Sequence, residues 1–518
     1  MTYPPRARPS AGAVTPPCGD RVLRGPSDVG LAFSDASAQQ RPLCVDLDGT
    51  LVTTDSLWEG VALLFRQRPW VLLVAPLWLF GGRARFKRAV AKHVRLDPAT
   101  LPYRSELLDS LRVARQGGRQ IVLATAADRS VAEAVAQHLD LFDAIHASDG
   151  ELNLKATTKR DRLQAAYPTS GFDYVGDSAA DLPVLEAAVQ GYLVGTSRGA
   201  ARRAQHSGKV MIVSYRPSVV QALIRQLRPH QWAKNALVLL PVLLAPGIPT
   251  PTMMARSCCA LVTLSLCASA GYVLNDLLDL AADREHPTKR HRPFASGALP
   301  VILGPPLFLG LLAVSFGSAV VLLSTGFTVM LALYLIGTLS YSLYFKRRVL
   351  VDVLVLAGLY AHRVLAGGIA AEVPVSAWLL GFSMFLFTSL AFAKRYVELR
   401  PLGHGDEIKH RGYLRADLEP VTVMGTTSGY LAALVFMLYV DSDAMRVSYR
   451  EPTFLWLVLP VMLYWLSRVW LLAGRGQMQD DPVKFALKDK HSLACGVVVA
   501  ALVVLARFTP NWLAGALH

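Results

Sequence analysis

Two groups of acidic residues have the spacing that metal-dependent phosphate chemistry requires. The first lies in the stretch Asn275–Asp283, which follows a long apolar run and carries Asp276, Asp279 and Asp283. On a continuous α-helix these three side chains and Asn275 share an arc of about 100°. Neighbouring carboxylates repel one another unless a cation lies between them, and Mg²⁺ prefers such oxygen ligands together with substrate phosphates. The stretch therefore predicts a Mg²⁺ centre at a membrane boundary, the alternative being an acidic helix end that only contacts water.

The second group begins at Asp46 and Asp48, in the sequence Asp-Leu-Asp-Gly-Thr after a short apolar run. Two carboxylates at this spacing can act as a nucleophile and a general acid–base. Asp177 and Asp181 follow a later strand-like run and could hold Mg²⁺, while Thr125 follows another and could hold a phosphate oxygen. Because strand-like and helical patterns alternate here, we expect a parallel sheet with its ligands at the carboxyl ends of the strands.

In this order, the motifs of the second group resemble those of the haloacid dehalogenase (HAD) phosphatase superfamily. The resemblance implies that Asp46 is the nucleophile that forms an aspartyl-phosphate and that Asp48 protonates the leaving oxygen. It also implies Mg²⁺ ligands at Asp46, Asp177 and Asp181, and phosphate binding by Thr125 and Lys159. Lys155 remains an alternative to Lys159.

The insert at residues 56–98 fits a helical cap that follows the first motif. It contains the apolar run Trp70–Phe80, which is too short to span a bilayer as a helix. Flanking arginines are compatible with a dip into the membrane surface, and a cap helix packed on its own core explains the run equally well.

The pattern Asn-Asp-x-x-Asp-x-x-x-Asp at the end of an apolar helix resembles the first aspartate motif of the UbiA superfamily of membrane prenyltransferases. In that family the aspartates hold Mg²⁺ against the phosphates of a substrate. The resemblance implies that Asp276, Asp279 and Asp283 form a catalytic metal centre supported by Asn275.

The chain has 518 residues and is 53% apolar, which is too apolar for a soluble protein of its size. We predict a disordered segment at 1–40 and an α/β, Rossmann-like HAD domain with its cap at 41–215. An all-α, UbiA-like domain with nine transmembrane helices follows at 216–518. The helices are expected near 236–248, 255–275, 300–322, 326–345, 349–371, 376–393, 420–440, 453–473 and 492–510.

The net charge of +15 could indicate nucleic acid, but the basic residues cluster between the apolar runs, as membrane topology requires. The loops predicted to be cytoplasmic carry 17 lysines and arginines, against two in the loops predicted to be outside. We therefore predict a multi-pass protein of the cytoplasmic (inner) membrane, with the HAD domain and both sites on the cytoplasmic side and no nucleic-acid partner.

Further polar residues near the same side are candidates for binding phosphates. Lysines and arginines at helix ends often only reach towards lipid headgroups, but Arg363 lies deeper and should face a polar cavity or a carboxylate. The candidates on the predicted helices are Tyr341, Lys346, Asp352, Arg363, Lys394 and Arg395.

The segment 228–235, which leads into the first predicted transmembrane helix and contains Lys234 and Asn235, points to one branch of the UbiA superfamily. Together with Asp352, Arg363 and the Lys394-Arg395-Tyr396 sequence, it resembles the branch that transfers phosphoribose from phosphoribosyl pyrophosphate to polyprenyl phosphate. Asp352 has no acidic partner four residues on, so the second aspartate motif of aromatic prenyltransferases is not evident and the number of Mg²⁺ ions stays open.

The resemblances imply one pathway, in which the membrane half makes a lipid-linked phosphoribose and the HAD-like half removes its 5-phosphate. Lys234, Arg395 or Lys409 would bind that 5-phosphate during transfer. The alternative is an aromatic polyprenyltransferase of the 4-hydroxybenzoate type with a phosphatase that acts on a separate pool. A non-catalytic scaffold is disfavoured because both motif sets are complete, and the sequence predicts neither chain length nor oligomeric state.

Overall fold

The computed structural model describes residues 39–508 except 69, 72–76, 79, 81, 150, 206–207, 404–405, 407, 409–410, 443–444, 446–448 and 479–480. The segment 1–40, predicted to be disordered, lies outside the described residues except for its last two. The chain divides into two compact units. The first runs to Gln226 and includes Asp276–Gly304, and the second combines Leu227–Asn275 with the chain from Pro305 onwards. The predicted domain boundaries remain predictions.

The first unit contains a six-stranded sheet with helices between its strands. The strands are β1 (Leu43–Val45), β2 (Ile121–Asp128), β3 (Ala144–Ser148), β4 (Asp173–Gly176), β5 (Gly191–Leu193) and β6 (Val210–Ile212). The helices are α1 (Ser56–Gln67), α2 (Arg83–His93), α3 (Ser105–Gln116), α4 (Arg129–Leu139), α5 (Thr157–Ala166), α6 (Leu182–Ala187), α7 (Arg198–Gln205) and α8 (Val219–Leu227).

All paired strands of this sheet run parallel, in the order β3-β2-β1-β4-β5-β6. Side chains alternate between its two faces, so that Leu43 and Val45 enter one apolar core and Cys44 enters the other. A sheet covered on both faces is the form that parallel strands require. The parallel α/β prediction for this part of the chain is confirmed.

The strand register brings the functional motifs to one edge of the sheet. Val45 at the end of β1 pairs with Leu123 of β2 on one side and with Val175 of β4 on the other. The chain order reverses at β1, and the carboxyl ends of strands at such a switch point form a crevice. Asp46 and Asp177 therefore leave neighbouring strands at the same edge.

Helices α1 and α2 occupy the insert predicted to be a cap. Asp55 caps α1 by accepting a hydrogen bond from the backbone N–H of Leu57 at 3.0 Å. The two helices share a small apolar core that includes Leu64, Phe86 and Val90. Part of Trp70–Phe80 lies outside the described residues, but Trp78 stacks on His93 with ring centroids 4.8 Å apart, as a packed cap would require.

The remaining helices are predominantly long and apolar. They are α9 (Leu240–Leu244), α10 (Pro251–Leu278), α11 (Leu280–Glu285), α12 (Gly304–Leu322), α13 (Thr325–Leu343), α14 (Val351–Ala371), α15 (Ala377–Leu399), α16 (Leu418–Asp441), α17 (Thr453–Trp456), α18 (Val458–Arg475), α19 (Pro482–Ala486) and α20 (Lys490–Phe508). The short helix α11 belongs to the first unit.

Within the described part of the chain, eight helical segments are long and apolar enough to cross a membrane. The protein is therefore a multi-pass membrane protein, but the predicted count of nine spans is not confirmed. The expected span at 236–248 is formed by a 3₁₀ helix, Pro229–Leu239, and the five-residue α9. Pro241 and Pro246 lack the N–H groups that an uninterrupted α-helix would need there.

The aspartate motif does not lie on one continuous helix, as the sequence analysis assumed. Helix α10 ends at Leu278, and Asp279 has the non-helical angles φ −105° and ψ 17° before α11 begins. Asp276 and Asp283 are therefore presented by two different helices. The position of Asp276 close to Asp283 therefore depends on this break in the helix rather than on helical periodicity alone.

Candidate functional site

A triad of carboxylates lies at the carboxyl edge of the sheet. Asp46 follows β1, while Asp177 and Asp181 follow β4, and one oxygen of each lies within 4.8 Å of the others. Gly49 makes room for this approach. It has φ +79°, and a Cβ there would lie 2.3 Å from Asp177 Oδ2. The glycine of the Asp-x-Asp-Gly-Thr motif is therefore required by the triad itself.

Lys159 neutralises part of this negative charge. Its Nζ lies 2.9 Å from Asp46 Oδ1 and 3.6 Å from Asp181 Oδ1, and it donates to the Tyr174 hydroxyl at 2.8 Å. Tyr174 in turn donates to Asp181 Oδ1 at 2.9 Å. Lys159 is only 2% exposed, whereas Lys155 is exposed at the rim of the same cavity. The geometry favours Lys159 for the phosphate-binding role.

Removal from water raises the pKa values of these carboxyl groups. Desolvation raises the pKa of Asp46 to about 6 against the opposing charge of Lys159. Desolvation raises the pKa of Asp177 to about 7, with Asp181 and Asp46 adding to the shift. Desolvation, aided by Asp55, raises the pKa of Asp48 to about 8, so this carboxyl group holds a proton at neutral pH. A protonated Asp48 has the form that a general acid needs.

The remaining predicted residues of this site take different positions. Asp48 accepts hydrogen bonds from Ser56, from the backbone N–H at 2.8 Å and from the hydroxyl at 3.2 Å. Thr125 is fully buried in β2, and its hydroxyl accepts from the N–H of Ala127 at 3.0 Å. The side chain of Thr125 is absent from the described lining of the cavity, so its phosphate-binding role remains a prediction.

A cavity of about 400 Å³ opens above the triad. Its cationic lining includes Lys87 and Arg216, which the sequence analysis missed. Lys87 belongs to α2 and donates to the carbonyl of Ala126 at 2.6 Å, while Arg216 lies 3.2 Å from Asp177 Oδ2. Lys87 stands among other basic residues in the sequence and Arg216 belongs to no motif, so only the fold singles them out.

Replacing Lys159 with methionine should lower phosphatase activity roughly 100-fold or more, because the ammonium group that contacts the nucleophile is lost. Lys155→Met is the matched control and should change the rate less than about threefold, since an exposed rim charge contributes little. Steady-state phosphate release by the full-length protein measures both. A larger loss in the Lys155 variant would reverse the assignment.

In the first unit, an arginine lies between two carboxylates of the aspartate motif. Arg292 Nη1 lies 3.1 Å from Asp276 Oδ1 and 2.6 Å from Asp283 Oδ2. Gln226 of α8 donates to Asp276 Oδ2 at 2.8 Å, and its own Oε1 is buried without a hydrogen-bond partner. Asp279 is partly exposed. One cationic nitrogen thus already bridges two of the three predicted ligands.

The two acidic groups fit Mg²⁺ to different degrees. Among the described residues, only Asp46, Asp177 and Asp181 are brought within ligand distance of a single ion. At the aspartate motif, Arg292 satisfies Asp276 and Asp283 directly. The hard carboxylate oxygens and the unpartnered Gln226 Oε1 remain a suitable donor set for Mg²⁺ there, while ligation by Asp276, Asp279 and Asp283 remains a prediction.

The second unit joins three predicted residues, Lys234, Lys394 and Arg363, in one polar network. Asp481 accepts from Lys234 at 2.9 Å and lies 3.3 Å from Lys394 Nζ. Tyr360 hydrogen-bonds Lys234, and its ring packs 5.0 Å from the Arg363 guanidinium. Desolvation opposes ionisation of Asp481, but Lys394 and Lys234 outweigh it and lower its pKa to about 2. Asp481 was not predicted, because no motif surrounds it.

The described contacts of Arg363 include no carboxylate, and the polar cavity predicted for it remains a prediction. Its Nε donates to Asn235 Oδ1 at 2.8 Å, and Nη2 donates to the Tyr334 hydroxyl at 3.1 Å. The guanidinium also lies over the rings of Tyr334 and Tyr360. An amide, a hydroxyl and two aromatic faces therefore stabilise this charge.

A second network surrounds Asp352. Tyr413 donates to Asp352 Oδ1 at 2.7 Å, and Arg395 Nε lies 3.4 Å from Oδ2. Arg395 also pairs with Glu398, and it is fully buried with Nε and Nη2 lacking hydrogen-bond partners. Arg411 lies 3.8 Å from Asp352 and hydrogen-bonds Tyr341. The N–H groups of Arg395 at Nε and Nη2 can therefore donate hydrogen bonds to a phosphate group of a substrate.

Three predicted residues remain, Asn275, Lys346 and Lys409. Asn275 donates to Ser342 Oγ at 2.9 Å, and Lys346 belongs to the 3₁₀ turn Phe345–Arg347. Lys409 lies outside the described residues. Although Asp352 and Arg363 share a helix face, 11 residues of α14 separate them by about 16 Å along the axis. They consequently belong to separate networks.

Comparison with known proteins gives two family matches that do not overlap. Residues 236–493 match the UbiA prenyltransferase family, and residues 43–186 match the haloacid dehalogenase-like hydrolases. The chain is 39% identical over 479 residues to the uncharacterized protein y4nM of Sinorhizobium fredii, covering 91% of this chain and 92% of that protein.

Two further relatives match parts of the chain. Nodulation protein NoeC of Azorhizobium caulinodans is 36% identical over 277 residues, which are 52% of this chain and 87% of that protein. The decaprenyl-phosphate phosphoribosyltransferase of Mycobacterium tuberculosis is 36% identical over 186 residues, which are 35% of this chain and 61% of that protein.

Proposed function

The chain belongs to the UbiA prenyltransferase family and carries an N-terminal haloacid dehalogenase-like domain, and from this premise we propose that it catalyses two consecutive reactions. Its membrane half transfers 5-phosphoribose from phosphoribosyl pyrophosphate to polyprenyl phosphate. Its HAD half then removes the 5-phosphate, which gives polyprenyl-phosphoryl ribose. The similarity to a decaprenyl-phosphate phosphoribosyltransferase supports the first reaction.

The observation that carries the proposal is the packing of the segment that carries the aspartate motif against helix α1 of the HAD half. Asp276–Gly304 belongs to the same compact unit as β1 to β6. Arg284, next to Asp283, makes a buried ion pair with Glu59 of α1, Nη2 to Oε1 at 2.5 Å. Glu59 in turn accepts from Thr54, eight residues after the nucleophile, at 2.6 Å. A product released at the aspartate motif thus has a phosphatase joined directly to it.

In the transfer step, a phosphate oxygen of the lipid forms a bond to C1 of the ribose and the bond from C1 to pyrophosphate breaks. Asp276, Asp279 and Asp283 would hold Mg²⁺, which neutralises the charge of the leaving pyrophosphate. Arg292 would then contact phosphate oxygens instead of two carboxylates.

The remaining phosphates are the 5-phosphate of the donor and the phosphate of the lipid. They would be bound by Lys234, Lys394 and Arg395. Asn235 and Arg363 would fix the position of the segment that carries Lys234, through the bond from Arg363 Nε to Asn235.

In the hydrolytic step, Asp46 attacks phosphorus and forms an aspartyl-phosphate as the bond to the ribose 5-oxygen breaks. Asp48 donates its proton to that oxygen, and water then releases inorganic phosphate from Asp46. Lys159 offsets charge on the nucleophile, while Asp177 and Asp181 complete the set that would hold Mg²⁺.

Donor choice tests the proposal against its alternative. Purified full-length protein should consume phosphoribosyl pyrophosphate in the presence of polyprenyl phosphate and Mg²⁺, and should release pyrophosphate. An aromatic polyprenyltransferase would use prenyl diphosphate as donor and 4-hydroxybenzoate as acceptor. Prenylation of 4-hydroxybenzoate without consumption of phosphoribosyl pyrophosphate would overturn the proposal.

Lys234→Met should weaken the apparent affinity for phosphoribosyl pyrophosphate roughly 10-fold to 150-fold. The loss corresponds to one charge-assisted hydrogen bond of about 1.5–3 kcal/mol, converted at 1.4 kcal/mol per tenfold change. Arg395→Met should behave similarly. Lys490→Met, at an exposed helix start, is the control and should leave the KM for the donor unchanged. An unaltered donor KM in both site variants would remove them from the phosphate site.

We place this reaction at the cytoplasmic face of the inner membrane. The strong excess of lysine and arginine in the predicted cytoplasmic loops supports that orientation, and phosphoribosyl pyrophosphate is a soluble, highly charged donor. Access of a membrane-impermeant protease to the HAD domain in inverted vesicles, but not in right-side-out vesicles, is the expected result.

A further inference from the structure

The cavity above Asp46 has an apolar side that the hydrolytic chemistry does not require. Asp46, Asp48 and Lys159 lie in its lining with other charged groups, whereas Trp58 and Pro300–Ile302 also line it. Val301 is buried, but Ile302 is 43% exposed. A small soluble phosphate ester has no apolar group that would contact an exposed isoleucine in the lining of its site.

The apolar side is held in place by contacts within the first unit. Thr53 donates to the carbonyl of Ser296 at 2.9 Å, and Gly297 has φ +72°. A Cβ at Gly297 would lie 2.3 Å from Thr53 Oγ1, so the backbone of this segment lies directly against the loop that follows the nucleophile. With the Arg284–Glu59 ion pair, these contacts fix residues 300–302 at the cavity.

The same residues begin a candidate membrane span. Val301–Leu322 is one of the eight segments long and apolar enough to cross a membrane among the residues described. Val301 and Ile302 therefore line the cavity and also belong to the first turn of that span. Trp58 adds an aromatic side chain, of the kind that is enriched where proteins meet the membrane interface.

We propose that this cavity selects phosphate monoesters carried on a membrane lipid, and that Trp58, Val301 and Ile302 determine this specificity. The monoester lies against Asp46 and Lys159, and the first part of the apolar chain contacts Ile302 on its way to the membrane. Lys87, which also lines the cavity, can meet a second phosphate between the sugar and the lipid. The inference rests on the proposed hydrolytic function and identifies the residues that select its lipid substrate.

The test compares two substrates of the same monoester chemistry in full-length protein reconstituted in lipid nanodiscs. One is polyprenyl-phosphoryl ribose 5-phosphate embedded in the disc, and the other is ribose 5-phosphate in solution. The wild type should prefer the lipid substrate in kcat/KM. Ile302→Ser should lower the ratio of the two kcat/KM values about 10-fold, since a lost apolar contact of this size discriminates on that order.

Val113→Ser is the matched control, because Val113 is 50% exposed on α3 and lies outside the described cavity lining. It should leave the ratio at its wild-type value. Equal kcat/KM values for the two substrates in the wild type, or an unchanged ratio in Ile302→Ser, would overturn the inference while the hydrolytic function stands. Failure of the wild type to hydrolyse either substrate would overturn both.

Discussion

Asp46→Asn is expected to abolish phosphate release and to leave lipid transfer intact, so that the phosphorylated lipid accumulates. An amide cannot form the aspartyl-phosphate, and removing a nucleophile lowers kcat by more than about 1,000-fold. The change is nearly isosteric, and Lys159, 2.9 Å from Asp46 Oδ1, keeps an oxygen partner in the amide. Chromatography of the labelled lipids formed from polyprenyl phosphate and phosphoribosyl pyrophosphate distinguishes the two products.

Asp109→Asn is the matched control for that variant. Its carboxylate is 70% exposed on α3 and pairs only at the surface with Arg112 among its described contacts. It should give the wild-type product at the wild-type rate. Normal yield of the dephosphorylated lipid from the Asp46 variant would remove Asp46 as the nucleophile.

Asp276→Ala or Asp279→Ala should eliminate transfer, with a loss of at least about 100-fold, because each removes a carboxylate of the proposed Mg²⁺ site. Asp276 is the more informative position. It is buried and contacts both Arg292 and Gln226, so its removal also leaves the Arg292 cation with one carboxylate fewer. Pyrophosphate release measures the transfer, and phosphate release from added lipid substrate should continue in the same preparation.

Asp441→Ala, at the exposed end of α16, controls for the loss of a carboxylate elsewhere in the membrane half. Continued hydrolysis by the Asp276 variant shows that the first unit has kept its fold. If both aspartate variants retained full Mg²⁺-dependent transfer, the motif would be only an acidic helix end, with Arg292 as its counter-ion.

The HAD half could be predicted in detail because its signals are local. The Asp-x-Asp-Gly-Thr motif, the later acidic pair and the alternation of strands with helices all lie within one folding unit. Parallel strand register then brings Asp46 beside Asp177 without further information. The sequence favoured Lys159 but left Lys155 as an alternative, because the choice depends on burial against β4 rather than on spacing.

The polar networks of the second unit were only partly predictable. Lys234 and Lys394 stood out as cations near apolar helices, but Asp481, which joins them, lies far along the chain in a loop without a motif. Arg363 needed a partner, and the structure supplies an amide and two aromatic rings that no charge pattern indicates. The break at Asp279 was missed because helical periodicity continues across it.

The packing of Asp276–Gly304 against α1 and the loop that follows β1 could not be predicted from the order of the domains. This segment follows the first long apolar run and was assigned to the membrane half. Its contacts with the HAD half include one buried ion pair, Arg284–Glu59, between residues 225 positions apart. Such a long-range pair leaves no periodic or compositional trace in the sequence.

A dual-label experiment tests the coupled reaction most directly. Membranes containing the wild-type protein receive polyprenyl phosphate and phosphoribosyl pyrophosphate that carries ³H in the ribose and ³²P in the 5-phosphate. We predict a lipid that retains ³H and loses ³²P, with the ³²P recovered as inorganic phosphate, and a lipid that keeps both labels when Asp46→Asn replaces the wild type. A wild-type lipid fraction that contains neither label, or that keeps both in their original ratio, would contradict the account.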